Sequence, residues 1–536
     1  MTAVALQQQQ EGLTDTEYMG EASPAYELVT PSSIGSSCAA DMMEGGVDEV
    51  ISLEGPHDRL LGDTEENWCR AVAGGTGISV IGVLFSKQLD SSKLQLAIDV
   101  VQSNHPRLRS ELMWIQGKPA FRVSSKPCVK VQVLDATGSE DTSPLIADFE
   151  HVQTTEDGNA EQPEKSKEDD RAWLTLVETE LNTNIWPEKQ HSLESMQMFV
   201  IRLHYLPGNR SLVTLRVHTA ACDRVSAATV LTDILEALLN ISKQLPLDSE
   251  TPHNLEADTH GGLKNEMPSG KEKEDKNSSV KLISVEAAIP PGKGNKPFWA
   301  HGIDLLGYSL GSRRHALLPF EEPCMPRQTR LIRSSLSFEH TQALLQACSK
   351  VKASLYGAIC AAGLKAAAAS KQLRNNSEHF AICHSCGLPS LLGTSCFRFH
   401  CFYHSALMNT YHLNETAKFW ELARCCSDSL DNAIRNRKHF TDIGDLNYLM
   451  YQSMMHPSLT PSNSLRTSLL VVFRDTMLDN LTDLTDALGV DDYVGCSSIH
   501  GIGPSLAVFD SICNGQLHFA NVLYFVANLS TNLACH

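Results

Sequence analysis

The stretch Ser211-Leu-Val-Thr-Leu-Arg-Val-His218-Thr-Ala-Ala-Cys222-Asp223-Arg224 brings an imidazole, a thiol and a carboxylate within six residues. A strand delivers His218 to a loop, Asp223 follows five residues later, and helical spacing begins at Val225. Imidazole titrates near neutrality, so His218 is the candidate general base. Alternation puts Val213, Leu215 and Val217 on one strand face and Thr214, Arg216 and His218 on the other. Thr219 rejoins the apolar face if the strand persists. His218 is then either a working base or a structural histidine buried at a strand end. Cys222 sits near a helix start, which lowers a thiol pKa, but the adjacent Asp223 opposes thiolate formation. Asp223 reads as a loop-pinning carboxylate or helix N-cap that satisfies free N–H groups at the Val225 helix. Arg224 is expected to face solvent or to be paired.

Other constellations carry less. Cys383-His-Ser-Cys386, with Cys396, His400, Cys401 and His404 downstream, offers zinc-type ligands. Tetrahedral zinc needs four that converge, whereas alternate residues of strands point to opposite faces. Buried cysteines and channel-side histidines are the expectation there, with no metal. His500-Gly-Ile-Gly-Pro504 lacks the spacing and the following helix of a nucleotide loop.

These residues need elements to hold them. Ile78–Phe85 reads as a buried strand. Leu94, Ala97, Ile98 and Val101 have helical spacing, capped by Ser91 or Ser92 and ended by Pro106. Residues 111–115 and 120–123 form a hairpin, and 129–133 alternates as a half-buried strand. An acidic insertion, 156–170, is expected as a solvated loop, followed by a helix over 173–182. Strands over 197–206 and 211–218 lead to a helix over 225–243, with Ala228, Leu231, Leu235 and Leu238 on one face. In the second half, 329–337, 380–383, 397–408, 469–473, 505–509 and 516–526 read as strands. The ranges 339–351, 354–370 and 415–435 read as helices, the second rich in small residues that permit close packing.

The chain has 536 residues, 42% hydrophobic and 20% charged, values that exclude collagen, coiled coil and complete disorder. Lys+Arg 44 against Asp+Glu 63 gives a net charge of −19, which disfavours nucleic acid and anionic lipid as partners. Residues 1–50 hold nine acids and no Lys or Arg. They read as a disordered acidic leader, without the basic, apolar signature of a secretory signal. No apolar run approaches a membrane span. The 16 cysteines are expected as reduced thiols, and the location as cytoplasmic. Residues 244–296 lose hydrophobic periodicity and read as a flexible linker between 51–243 and 297–536.

The His218–Asp223 loop resembles the HHxxxDG loop of condensation domains and of the wider CoA-dependent acyltransferase superfamily, alcohol acetyltransferases included. Asn104-His105-Pro106-Arg107-Leu108-Arg109 resembles that family's HPxLR turn, and Arg59-Leu-Leu-Gly-Asp-Thr-Glu65 its opening segment. The resemblance implies an α/β fold of two chloramphenicol-acetyltransferase-like subdomains, with mixed sheets, helices on one face and a central channel. It implies acyl transfer from a thioester to a hydroxyl or amine, with no bound cofactor and acyl-CoA as co-substrate. Small-molecule donor and acceptor would be the partners. In the family the second motif histidine acts as base, the aspartate pins the loop and the glycine tightens the turn. Here those positions hold Thr219, Asp223 and Arg224. Threonine cannot serve as a base at neutral pH. The alternative is therefore a degenerate relative that binds a ligand or partner without catalysis.

Overall fold

The computed structural model describes residues 58–135, 164–186, 195–244, 283–312, 328–370, 378–387, 403–413, 417–455, 469–475, 488–497, 505–513 and 516–525. The leader 1–50, part of the acidic insertion (156–163) and most of the linker (245–282) lie outside them.

Chain order begins with β1 (Arg59–Leu60), α1 (Asp63–Ala73), β2 (Ile78–Phe85) and α2 (Ser91–Asn104). Asp90, rather than Ser91 or Ser92, caps α2, its carboxylate accepting the Ser92 and Lys93 N–H groups at 2.8 and 3.3 Å. A short 3₁₀ turn at Pro106–Arg109 leads to β3 (Ser110–Ile115), β4 (Lys118–Val123) and β5 (Val131–Asp135). Helix α3 spans Glu164–Asn182, so the end of the acidic insertion, expected as loop to residue 170, is helical from Glu164. Then come β6 (Met196–Gln197), β7 (Phe199–Leu206), β8 (Arg210–His218) and α4 (Arg224–Gln244).

The second half holds α5 (Val285–Ala288), α6 (Phe298–Ser312), β9 (Gln328–Ser335), α7 (Phe338–Val351), α8 (Leu355–Ser370), β10 (Glu378–Gly387) and β11 (His404–Leu413). It continues through α9 (Phe419–Arg435), α10 (Lys438–Thr441), α11 (Ile443–Met455), β12 (Leu469–Asp475), β13 (Val490–Ser497), β14 (Ser505–Cys513) and β15 (Gln516–Phe525). The end of the expected linker is therefore built structure. Glu286 of α5 accepts the Thr64 N–H at 2.8 Å and ties this segment to α1.

The described strands form three sheets, in the orders β1-β4-β3-β6, β13-β2-β8-β7-β5 and β11-β10-β12-β14-β15-β9. The larger two are mixed: β5 and β7 run parallel in one, β10, β12 and β14 in the other. Strand β13 comes from the second half yet pairs with β2 of the first, Val494 opposite Gly82. A boundary at residue 297 therefore misses one exchanged strand.

The five-stranded sheet is covered on both faces, not one. Val213, Leu215 and Val217 pack with Leu94, Ala97, Ile98 and Val101 of α2 and with Leu231, Leu235 and Leu238 of α4. On the other face Val80, Leu84 and Leu212 pack against Trp173, Val177 and Leu181 of α3. In the second half the small residues Ala358 and Ala361 of α8 are buried with Ala423 and Cys426 of α9. Among the described residues no helix is long and apolar enough to cross a membrane.

Candidate functional site: the loop after β8

Strand β8 stops at His218, which lies opposite Ile78 of β2. The side chain is buried, and the Trp186 ring meets its edge with centroids 5.2 Å apart at 77°. Its Nδ1 accepts the Ala220 N–H at 3.2 Å. Burial pushes its pKa down to about 3, partly offset by a backbone hydrogen bond, so the ring is neutral at neutral pH. A neutral imidazole has one lone pair on nitrogen. With Nδ1 accepting, the proton resides on Nε2.

Thr219 lies in the turn beyond the strand. Its buried hydroxyl donates to the Gly77 carbonyl and lies 3.5 Å from Ser79 Oγ. Gly77 holds φ +83, and a Cβ there would come within 2.6 Å of the Trp68 ring, so both conformation and space demand glycine. Cys222 is fully buried in the core and donates its thiol to the Asp223 carbonyl at 3.4 Å, so the sulfur is no accessible nucleophile. Asp223 Oδ1 accepts the Ser226 N–H at 2.8 Å, capping α4, while Oδ2 accepts the Tyr403 N–H at 2.8 Å from the second half. Arg224, expected at the solvent or in a pair, is buried. The position where the resembled motif carries glycine thus holds a buried side chain.

The three stretches singled out in the sequence meet physically. Glu65 accepts from Arg59 at 2.5 and 2.7 Å and from Arg107 Nη2 at 2.9 Å. Arg107 also donates through Nε to the Ala221 carbonyl at 3.1 Å, which fixes the loop from beneath. Both guanidinium groups lie over the Phe121 ring, at 5.3 and 4.2 Å. The opening segment, the Pro106 turn and the His218 loop thus form one buried bracket.

No protein-family model matches this sequence, and no curated protein matches it. Solved structures do. The first condensation domain of the calcium-dependent antibiotic synthetase, with a substrate analogue, is similar at TM-score 0.55 and 13% identity, covering 87% of this chain and 90% of that one. The starter condensation domain of rhizomide synthetase, in complex with C8-CoA, is similar at TM-score 0.52 and 10% identity, covering 87% and 90%. The fold is that of a condensation domain. Polyketide synthase associated protein 5 from Mycobacterium tuberculosis shares it at TM-score 0.52 and 12% identity, covering 87% of this chain and 94% of that one.

Within this condensation fold the polar face of β8 is sealed. Arg216, on the face of His218, is fully buried and pairs with Glu180 of α3, which also accepts from Arg202 at 2.8 Å. Burial opposes ionisation of Glu180, but the nearby His204 ring and the Arg216 and Arg202 charges outweigh it and hold its pKa below the usual range. Burial pushes Arg216 down to about 10. Strand alternation located this face. Glu180, its partner, sits in a helix whose acidic start gave no sequence signal for it.

The Cys/His segment does not converge where it is described. Cys383 packs toward the α3 side of the five-stranded sheet, its thiol pushed up to about 11 by burial. His384, on the opposite strand face, lies between the Tyr356 and Tyr411 hydroxyls at 3.1 and 3.3 Å, with its pKa pushed down to about 4. Cys396, His400 and Cys401 lie outside the described residues, as do the side chains of Cys386 and His404. The carboxylates of Asp304, Asp442 and Asp445 do converge. Lys296 supplies the cation among them, its Nζ 3.1 Å from Asp442 and 2.6 Å from Asp445 and also paired with Asp304.

Proposed function

We propose that this chain is a condensation-fold binding module that does not transfer acyl groups, and that its His218 loop fastens the two halves of the fold. One observation carries the reading. The only histidine of the motif stretch has its Nδ1 lone pair committed to the Ala220 N–H and its ring edge packed on Trp186. The position of the second motif histidine is a threonine that donates to Gly77. Neither side chain offers a lone pair able to take a proton from an attacking hydroxyl or amine, which is what a general base must do.

The ligand class is an acyl thioester. Support for it comes from the likeness to a condensation domain solved with C8-CoA. Acyl transfer to a hydroxyl or amine would need His218 to leave its buried site and free a nitrogen. The test incubates the full chain with C8-CoA and mixed alcohol and amine acceptors, following free CoA, and measures C8-CoA binding by calorimetry. Binding without CoA release is expected. CoA release by the parent that disappears in His218→Ala would overturn the reading in favour of an acyltransferase.

A further inference from the structure

Helix α6 is amphipathic in the reverse sense for a surface helix. Its polar side faces the protein: Tyr308 donates to Asp442 at 2.6 Å, His301 Nδ1 lies 2.6 Å from Asp445, and Asp304 pairs with Lys296. Its opposite side bears Phe298, Trp299, Ile303 and Leu306, exposed at 74, 68, 60 and 58%. The spacings 298/302/306 and 299/303 put these on one face. Side chains of this size at these exposures leave on the order of 500 Å² of apolar surface, high in the range that monomers expose.

Gly302 lies within that face. A Cβ there would meet no heavy atom within 4 Å, and its φ is not in the left-handed region, so nothing among the described residues calls for glycine. Glycine weakens a helix interior relative to alanine. Its remaining use is to leave a gap between Phe298 and Leu306 into which another helix can approach closely.

We infer that α6 is a self-association surface and that its occupant is a second copy of this chain. Two copies related by a two-fold axis pair α6 with α6, and each glycine gap receives the other copy's large side chains. Such a pair removes about 1,000 Å² from water through this helix alone, the threshold of a stable interface. The exposed apolar set contains no charged residue, so self-pairing brings no like charges together. A lipid surface fits less well. Interfacial helices present a cationic face to headgroups, whereas the polar face of α6 is tied to Asp442 and Asp445, and the chain carries −19.

The test is sedimentation velocity of the full chain from about 1 to about 100 µM, with Ile303→Glu and Gly302→Gln alongside. The parent is expected as a concentration-dependent dimer, and both variants should dissociate at least tenfold more readily. Gly302→Gln fills open space with a better helix former, so its melting temperature should equal or exceed the parent's, which separates lost pairing from lost folding. A parent that stays monomeric across the range overturns the proposal. So does a dimer that neither variant weakens, or a monomer that co-sediments with phosphatidylcholine–phosphatidylserine vesicles through Ile303.

Discussion

The Asp223 carboxylate holds the Tyr403 N–H at 2.8 Å across 180 residues of chain while its other oxygen caps α4 at Ser226. A single buried side chain therefore fixes the loop, starts the helix and joins the two halves. His218, at the other end of this loop, is buried as well.

Asp223→Ala should lower stability by about 2–3 kcal/mol, since it removes one N-cap bond and orphans the buried Tyr403 N–H. Urea unfolding measures this. Asp223→Asn keeps one acceptor oxygen and should fall between parent and Ala. A neutral Asp223→Ala would remove Asp223 from its role as a fastener.

The bracket beneath the loop should be more sensitive still. Glu65 is 1% exposed and is shared by Arg59 and Arg107, the latter also 1% exposed. Glu65→Ala leaves a buried guanidinium without its counter-charge and should cost about 3–5 kcal/mol. Lys418→Ala, which breaks a pair exposed at 76 and 61%, should change stability by less than about 0.5 kcal/mol. Equal effects of the two would show that the bracket is not a buried ionic unit.

Burial depresses His218 to about 3 and His384 to about 4, from 6.5. Both are neutral when folded and take up protons when unfolded, so their contribution is complete above pH 6.5. It is lost as pH falls from there toward the folded values. Each group steepens the decline by up to about 1.4 kcal/mol per pH unit in that window. His218→Gln should flatten the slope of unfolding free energy against pH by that amount. An unchanged slope would mean that His218 is solvated in the folded chain.

Thr219→Val keeps the shape of the turn but leaves the buried Gly77 carbonyl without the Thr219 donor. A loss of about 1–2 kcal/mol is expected in thermal or urea unfolding. A stabilised Thr219→Val would argue that the hydroxyl instead faces an open cavity.

Much of this was legible from residue order. Leu94, Ala97, Ile98 and Val101 are all buried, as their helical spacing requires, and the alternation through Val213–His218 assigns both faces of β8 correctly. Local periodicity could not reveal long-range partners. Helix α1 buries Thr64, Glu65 and Asn67 alongside Ala71 and Val72, so its inner face mixes polar with apolar residues, and the partners of the polar ones cannot be read from local spacing. Helix α6 has an apolar stripe but turns it outward. Strand β13 pairs with β2, more than four hundred positions earlier, and no spacing within β13 announces that pairing. For Arg224 the spacing left solvent and pairing both open; the side chain is buried and partnered, which only the tertiary surroundings decide.

The most direct measurement is the tautomer and titration of His218 by ¹⁵N NMR on histidine-labelled protein, with its signals assigned by their absence in His218→Gln. A neutral ring protonated on Nε2 and unchanged between about pH 8 and about pH 5 is the expected result. A ring that titrates near its ordinary value, or carries its proton on Nδ1 and so leaves Nε2 free to accept one, would contradict the account and return His218 to the role of a base.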